Sequence, residues 1–358
     1  MMTGDIYVNG RFLSHKMDGI GRFSLEICKQ LKELGLNFIV VIPKWLDYAN
    51  DEGFRIIKYG NLKSHFWEQL DLYYFLKFNK NPLLISFSGL GPLFYKNQIT
   101  TIHDLSFYAN KEWFSKTYTF VYGIATPIVA RNSKKIFTVS NFSKSEIIKY
   151  LGIKEAKIEV IHNAVANHLY KAAPSDDVTP KVNDILKEKY VLAVSSLDPR
   201  KNLQGLIDSF LALELSDCKL VLVGKASNHF NIRLDATDKN ILFIGFVSDT
   251  DLLALYTHCE FFIYPSFYEG FGIPPLEAMK SGCAVLASRI PSLEEVCADA
   301  ALYINPYDIN DMKEKMLAVM EDFELRNELK AKGIIRSRFF TWEASGKKVY
   351  EIIKNCSF

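Results

Sequence analysis

Short apolar runs alternate with longer amphipathic ones along the whole chain, and this alternation constrains the fold more than any other feature. Runs such as Phe38–Ile42 and Lys219–Val223 have the length and β-branched content of buried strands. Between such runs lie stretches such as Gly19–Leu34, whose apolar residues recur every three or four positions, as in a helix. A repeated strand–helix order indicates parallel sheets with helical crossovers. The sequence therefore predicts an α/β fold.

A polar, proline-punctuated segment at residues 171–188 interrupts the alternation. The chain has 358 residues, which is more than one ordinary core requires and enough for two domains. We predict an N-terminal Rossmann-like domain over residues 1–170, a linker over 171–188 and a C-terminal Rossmann-like domain over 189–341. A last helix, about residues 342–358, is expected to pack back on the first domain. Ligands of open parallel sheets bind beyond the carboxyl ends of the strands, so the loops there carry the candidate site.

Composition excludes several classes of protein. The six cysteines form no C-x-x-C pair and no group with zinc spacing, so no metal site is expected. No signal peptide is recognisable, and the longest apolar runs, such as Phe120–Ala130, are shorter than the roughly 20 residues of a spanning helix. We therefore expect a cytoplasmic protein. No dense basic run is interleaved with aromatic residues, so nucleic acid is not an expected partner.

Charge is unevenly divided along the chain. Residues 1–170 carry 21 Lys and Arg against 14 Asp and Glu, while the whole chain has a net charge of only +2. The excess is explained either by an anionic partner of the first half or by ordinary variation of surface charge.

The strongest motif follows a predicted strand that ends at Tyr264. It reads Glu-Gly-Phe-Gly-Ile-Pro-Pro-Leu-Glu-Ala-Met over residues 269–279. Glycine lets the backbone approach a ligand closely, and the amides at a helix start attract anions. The carboxylates of Glu269 and Glu277 can each accept two hydrogen bonds from a sugar diol. Taken singly, Glu277 is better explained as a complement to the helix dipole, and Glu269 as an exposed loop residue.

This motif resembles the signature of the retaining glycosyltransferases of family four, E-G-F-G-x-P-x-x-E-A-M, at every fixed position. The likeness runs from Asn9 to the final helices and extends to bacterial mannosyltransferases of O-antigen and surface polysaccharide assembly. It implies the GT-B fold, in which two Rossmann-like domains face each other across a central cleft. It also implies that Glu277 binds the ribose of a nucleotide-sugar donor and Glu269 a sugar hydroxyl. The donor diphosphate would lie against the backbone of Gly270, Phe271, Gly272 and Ile273.

A second motif, Ser-Ser-Leu-Asp-Pro-Arg-Lys-Asn, spans residues 195–202 after the first predicted strand of the second domain. Two adjacent cations, Arg200 and Lys201, can neutralise a diphosphate without a metal. A lone Arg-Lys pair is by default a solvated basic turn. The resemblance implies instead that the pair stabilises the leaving diphosphate, that Ser196 lies in the donor site and that no cofactor is required.

Two weaker motifs lie in the first domain. The turn Asp18-Gly19-Ile20-Gly21-Arg22 is either a ligand-approaching turn or a plain helix start. The resemblance places Gly21 near the donor phosphates, and we assign Asp18 to the acceptor side. The segment His103-Asp104-Leu105 ends a predicted strand. The resemblance implies that His103 contacts the transferred sugar, whereas Asp104 either orients His103 or contacts the acceptor.

The triplet Asp249-Thr250-Asp251 imitates the D-x-D metal site of the other large transferase fold. It precedes a helical run, so helix capping with first-turn acids explains it better. The resemblance places the preceding residues 245–247 against the nucleobase, with Val247 as a donor contact. The chain departs from the family at His162-Asn163-Ala164-Val165, where Asn-Gly-Val is frequent.

The predicted function is transfer of a hexose, mannose or a related deoxyhexose, from a nucleotide-diphosphate sugar, with a GDP-linked donor favoured. The acceptor is a saccharide, expected to be a lipid-linked oligosaccharide, and the resemblance implies retention at the anomeric carbon. Peripheral contact with the inner face of the cytoplasmic membrane is a further expectation. The aromatic stretches Phe66–Phe78 and Trp113–Tyr122 fit that contact or the core. A nucleotide-sugar epimerase, a phosphorylase and an inactive sugar-nucleotide-binding module are the alternatives.

Overall fold

The computed structural model describes residues 5–14, 19–165, 178–224 and 238–355. The chain forms two compact units, one of residues 1–163 with 341–358 and the other of residues 164–340. The division falls ahead of the boundary predicted at residue 170. Residues 178–188, which were predicted to be linker, belong to the second unit and include a helix at Pro180–Ile185.

Within its described residues, the first unit has a sheet of seven parallel strands. They are β1 (Ile6–Asn9), β2 (Ile39–Ile42), β3 (Ile56–Lys58), β4 (Leu83–Ser86), β5 (Gln98–Thr101), β6 (Lys135–Thr138) and β7 (Ile158–Val160). Their order is β3-β2-β1-β4-β5-β6-β7. The helices are α1 (Gly19–Glu33), α2 (Ser64–Phe66), α3 (Tyr73–Phe78), α4 (Ser106–Ala109), α5 (Lys116–Asn132) and α6 (Asn141–Leu151). A π-helix at Trp67–Leu72 joins α2 to α3.

The described part of the second unit has six parallel strands. They are β8 (Lys189–Val194), β9 (Cys218–Val223), β10 (Ile241–Gly245), β11 (Phe261–Tyr264), β12 (Val285–Ser288) and β13 (Leu302–Ile304). Their order is β10-β9-β8-β11-β12-β13. The helices are α7 (Pro180–Ile185), α8 (Leu203–Leu211), α9 (Asp249–His258), α10 (Ile273–Lys280), α11 (Pro291–Cys297), α12 (Ile309–Glu321) and α13 (Phe323–Ser337).

The central strands are buried on both faces, which explains their continuous apolar sequences. Every residue of β1, β2, β4, β11 and β12 is buried. Parallel sheets are covered by helices on both sides, so their strands do not alternate in polarity. The edge strands β3 and β13 were not predicted because they are three residues long and only partly buried.

Helix α1, predicted over Gly19–Leu34, buries Phe23, Ile27 and Leu31 on one face, whereas Leu34 is 39% exposed. The helix ends before Gly35, whose positive φ of 77° suits glycine.

A C-terminal helix, α14 (Trp342–Asn355), packs against α1 in the first unit. Trp342 makes an edge contact with the Phe23 ring, and Gly346 gives close approach, since a Cβ there would lie 2.3 Å from Gln30 Cβ.

In the stretches that the structure describes, none of the helices has the length and apolar content needed to cross a bilayer.

Candidate active site

The strand order reverses at one point in each sheet, between β1 and β4 in the first unit and between β8 and β11 in the second. A crevice at such a reversal is the usual ligand site of an open parallel sheet. In the second unit the two loops that flank it are residues 195–202 after β8 and 265–272 after β11. These are the two motifs singled out from the sequence. The Phe267 amide donates to the Arg200 carbonyl at 2.7 Å and ties the loops together.

Lys201 and Glu269 form an ion pair at the centre of these loops. Lys201 Nζ lies 2.5 Å from Glu269 Oε1, and both side chains are only 11% exposed. Lys201 Nζ also donates to the Tyr264 hydroxyl at 3.0 Å. Burial lowers the pKa of Lys201, but Glu269 and Tyr264 together outweigh burial and raise the pKa above the ordinary lysine value. The ammonium of Lys201 therefore stays charged.

Arg200 is held in place by Asp198, which is 5% exposed. Arg200 Nη2 and Nε donate to Asp198 Oδ2 at 2.7 and 3.0 Å. Asp198 also caps the 3-10 turn by accepting from the Arg200 amide at 2.9 Å. The turn is completed by Asn202, whose φ is 52° and whose side chain donates to the Pro306 carbonyl at 2.7 Å. Arg200 is thus a preorganised cation rather than a loose surface side chain.

The glycine loop leads directly into α10. Gly272 has φ of 108°, and a Cβ there would meet Leu293 Cδ2 at 2.5 Å, so only glycine fits without strain. Gly270, Phe271 and Gly272 are buried and Ile273 is half-buried. Glu277 lies in the second turn of α10, and Tyr256 of α9 donates its hydroxyl to Glu277 Oε2 at 3.2 Å.

Polar groups without protein partners line the same loops. Among the described residues, the hydroxyls of Ser195 and Ser266 are buried and have no hydrogen-bond partner. Ser196 beside them is exposed. Buried polar groups are normally satisfied, so two such hydroxyls in loops with paired charges fit a site that binds a polar ligand.

In the first unit, His103 follows β5. Its Nε2 lies 2.9 Å from the Phe87 carbonyl oxygen, which can only accept, so Nε2 carries the proton. The His103 ring packs edge-on against Phe23 at 5.1 Å. Asp104 Oδ1 accepts from the Ser106 amide at 2.9 Å, so this carboxylate stabilises the start of α4.

Gly21 is buried in the first turn of α1 and lines a cavity of about 180 Å³ in the first unit. Asp18, assigned to the acceptor side, lies outside the described residues. The predicted residues therefore divide between the units. Gly21, His103 and Asp104 belong to the first unit, and the other residues predicted to bind the donor belong to the second.

The Asp249–Asp251 triplet has the structural role that the sequence indicated. Ser248 Oγ caps α9 by accepting from the Asp251 amide, and both aspartates lie in the first turn. Asp251 is 2% exposed and accepts from the Thr179 amide at 2.9 Å. Val247, just before this cap, is half-buried.

Two family models match the chain side by side. The model for glycosyltransferase family 4 matches residues 17–167, and that for glycosyl transferases group 1 matches residues 175–336. The chain belongs to glycosyltransferase family four. The structure of sucrose-phosphate synthase from Thermosynechococcus elongatus superposes with a TM-score of 0.74, covers 98% of each chain and is 16% identical, which shows the shared GT-B fold.

Two curated proteins are similar to this glycosyltransferase over most of its length. The O-antigen chain mannosyltransferase B of Escherichia coli is 29% identical and covers 92% of this chain and 94% of its own. The O-antigen chain mannosyltransferase RfbU of Salmonella typhimurium is 29% identical and covers 84% of this chain and 87% of its own.

Sequence reasoning missed four residues that build the candidate site of the glycosyltransferase: Asp198, Asn202, Tyr256 and Tyr264. Asp198 and Asn202 flank the Arg-Lys pair, and a capping role could have been inferred from their residue types. Tyr264 is the last residue of β11, immediately before the glycine motif. Tyr256 is fixed by the packing of α9 on α10, which no local sequence signal reveals.

Proposed function

We propose that the chain transfers a mannosyl residue from GDP-mannose to a lipid-linked saccharide in bacterial surface polysaccharide synthesis. The family and the names of its two relatives support a mannosyltransferase of this pathway. The observation that carries the proposal is the Lys201–Glu269 pair at the strand reversal, tied through Tyr264 to the end of β11. It joins a phosphate-binding cation to a hydroxyl-binding carboxylate.

Each group of the donor has a matching partner in this arrangement. Glu277 accepts hydrogen bonds from the ribose hydroxyls, and Tyr256 holds its carboxylate in position. Arg200, Lys201 and the backbone amides of residues 270–273 bind the diphosphate. Glu269 accepts from a hydroxyl of the transferred sugar. The family resemblance supports a role for His103 in contacting that sugar.

Catalysis in this proposal is electrostatic. The bond between the anomeric carbon and the diphosphate oxygen breaks, and its electron pair leaves with GDP. The acceptor oxygen bonds to the same face of the anomeric carbon, and its proton passes to the departing phosphate. Fixed cations stabilise the charge that develops on the leaving group and need no reorganisation during the reaction. Arg200 and Lys201 thereby supply what a metal ion supplies in other transferases.

The donor is tested by comparing thermal stabilisation by GDP-mannose, GDP-fucose, UDP-glucose, dTDP-rhamnose and ADP-glucose. We expect the largest shift with GDP-mannose and loss of that shift in Glu277→Ala. Transfer to a lipid-linked saccharide is then followed by chromatography, and the anomeric configuration of the product by NMR. Equal shifts for all donors would refute the donor assignment, and an inverted product would refute retention.

An acceptor-free incubation separates the alternatives. An epimerase converts the donor without an acceptor, and an inactive binding module shows no turnover with any acceptor. A transferase consumes the donor in proportion to added acceptor. The Glu269→Ala variant should then lose transfer while keeping most of its affinity for GDP, because the diphosphate and ribose contacts remain.

A further inference from the structure

The helical segment of residues 64–78 exposes a line of large apolar side chains. Phe66, Leu70, Tyr74 and Phe78 are 70, 45, 52 and 78% exposed. We call these four residues the apolar stripe. On the opposite side of the same segment, Trp67, Leu72, Phe75 and Leu76 are buried in the core of the first unit.

The local π-helix narrows the angular spread of the stripe. Its residues are spaced by four, and in an α-helix each such step drifts about 40° around the axis. Three steps would spread the four side chains over roughly a third of the circumference. The π-helical turns at Trp67–Leu72 hold more residues each and reduce that drift. The local geometry thus aligns apolar side chains that face away from the core.

Two further exposed apolar residues lie on segments that are tied by hydrogen bonds to this part of the fold. Trp45 is 43% exposed, and its ring nitrogen donates to the Leu62 carbonyl at 2.9 Å. Phe94 is 69% exposed and follows Leu93, whose amide donates to the Gln69 side chain. Scattered exposed apolar residues are normal, but a contiguous set of large ones marks a contact surface.

The charge around the stripe is positive. Lys63, Lys77 and Lys80 are exposed. Both acidic residues of the segment have partners within the protein. Glu68 is fully buried and paired with Arg11, and Asp71 accepts a hydrogen bond from the Leu62 amide. Aromatic and leucine side chains flanked by lysines are the composition of surfaces that lie in the headgroup region of anionic bilayers.

We propose that the apolar stripe docks this chain on the surface of an anionic lipid bilayer, with Phe66 and Phe78 inserted and the three lysines at the headgroups. The inference extends the proposed function, in that a membrane-bound enzyme reaches a lipid-linked acceptor directly. Vesicle binding is measured without donor or acceptor, so it succeeds or fails independently of the mannosyltransferase assignment.

The test is co-sedimentation of the full chain with vesicles of phosphatidylcholine alone or mixed with phosphatidylglycerol. We expect binding to the mixed vesicles and at least about tenfold weaker partitioning for the double variant Phe66→Asp/Phe78→Asp. The matched control is Phe323→Asp/Phe339→Asp, since those residues of the second unit are 65 and 69% exposed. The control should bind as the wild type does.

A second variant tests the electrostatic contribution of the lysines to vesicle binding. Lys63→Glu/Lys77→Glu/Lys80→Glu should lose binding to phosphatidylglycerol vesicles. Raising salt from about 0.1 M to about 1 M should weaken wild-type binding, because the screening length falls from about 10 Å to about 3 Å. Unchanged binding of the phenylalanine variant would overturn the proposal. So would a concentration-dependent dimer, seen by light scattering, that the same variant abolishes without affecting vesicle binding.

Discussion

Lys201 is the residue on which the proposed chemistry depends most directly. Replacing it with methionine removes a buried cation from the leaving-group site and leaves Glu269 unpaired. Loss of one preorganised electrostatic contact typically lowers kcat by about 10² to 10³. We expect Lys201→Met to fall in that range with GDP-mannose, measured by steady-state kinetics. The control is Lys187→Met, because Lys187 is 73% exposed and pairs with Asp184 on the surface.

The loss of stability in Lys201→Met should depend on pH in a defined way. Burial acts to lower the pKa of Lys201, but Glu269 and Tyr264 together raise it above the ordinary lysine value. A raised lysine pKa in the folded state stabilises the protein at every pH below the unfolded pKa and is lost only as pH rises through the folded pKa. The gap in Tm between wild type and Lys201→Met should therefore stay constant from about pH 6 to about pH 9. If the difference in Tm between the two proteins disappears by pH 9, the conclusion that Lys201 is charged in the folded protein is contradicted.

Gly272 shows how the conformation at the start of one helix, α10, determines the geometry of the candidate site. Alanine there would adopt a positive φ and collide with Leu293, so we expect Gly272→Ala to cost about 1–3 kcal/mol and to displace the first amides of α10. Gly123→Ala is the matched control: Gly123 lies inside α5 with open space around its Cβ position. That change should stabilise by about 0.5–1 kcal/mol. Thermal unfolding and kcat distinguish the two, and equal midpoints would refute the strain argument.

The role of the aspartates at the start of α9 leads to a prediction that activity does not depend on a bound metal ion. Asp251→Ala leaves the Thr179 amide without its carboxylate partner, which should cost about 1–3 kcal/mol of stability. Because we propose that Asp249 and Asp251 act at a helix start and Arg200 and Lys201 at the phosphates, kcat should stay within about twofold of wild type. EDTA should leave activity unchanged. Restoration of a lost activity by Mn²⁺ would show instead that the triplet binds metal.

The strands and helices show which features of the fold and of the candidate site could be predicted from the sequence, and which could not. Long apolar runs predicted the buried strands, and the family resemblance of the motif with Glu269 and Glu277 led us to propose that this loop binds the donor. The contact of Lys201 with Glu269 depends on β8 lying beside β11, although β9 and β10 separate them in the chain. Strand order is decided by packing over the whole sheet, so local patterns do not encode it. The aromatic stretch Phe66–Phe78 was recognised from the sequence as fitting membrane contact or the core, but the π-helix at Trp67–Leu72 was not predicted.

At the scale of the whole chain, the last helix crosses back to the first unit. A helix over about residues 342–358 was expected from the sequence to pack there, and the first unit includes residues 341–358. Helix α14 is held there by Trp342 against Phe23 and by Ser345, whose hydroxyl donates to the His162 carbonyl at 2.7 Å. Stability of the first unit therefore depends on the C-terminus of the chain. The composition shift at residues 171–188, in contrast, did not mark the division, because the second unit begins at residue 164.

Donor binding should be visible across the second unit by hydrogen exchange. At a concentration 100 times its Kd, a ligand stabilises the folded state by about 2.7 kcal/mol, so amides that exchange by global unfolding slow accordingly. Beyond this general effect, GDP-mannose should specifically protect residues 195–202 and 265–277, whose amides and side chains are proposed to contact it. Glu277→Ala should remove the protection while leaving the exchange of β8 and β11 in the free protein unchanged. Protection confined to other loops would mean that the strand reversal in the second unit is not the donor site, and the roles given to Lys201 and Glu269 would fall with it.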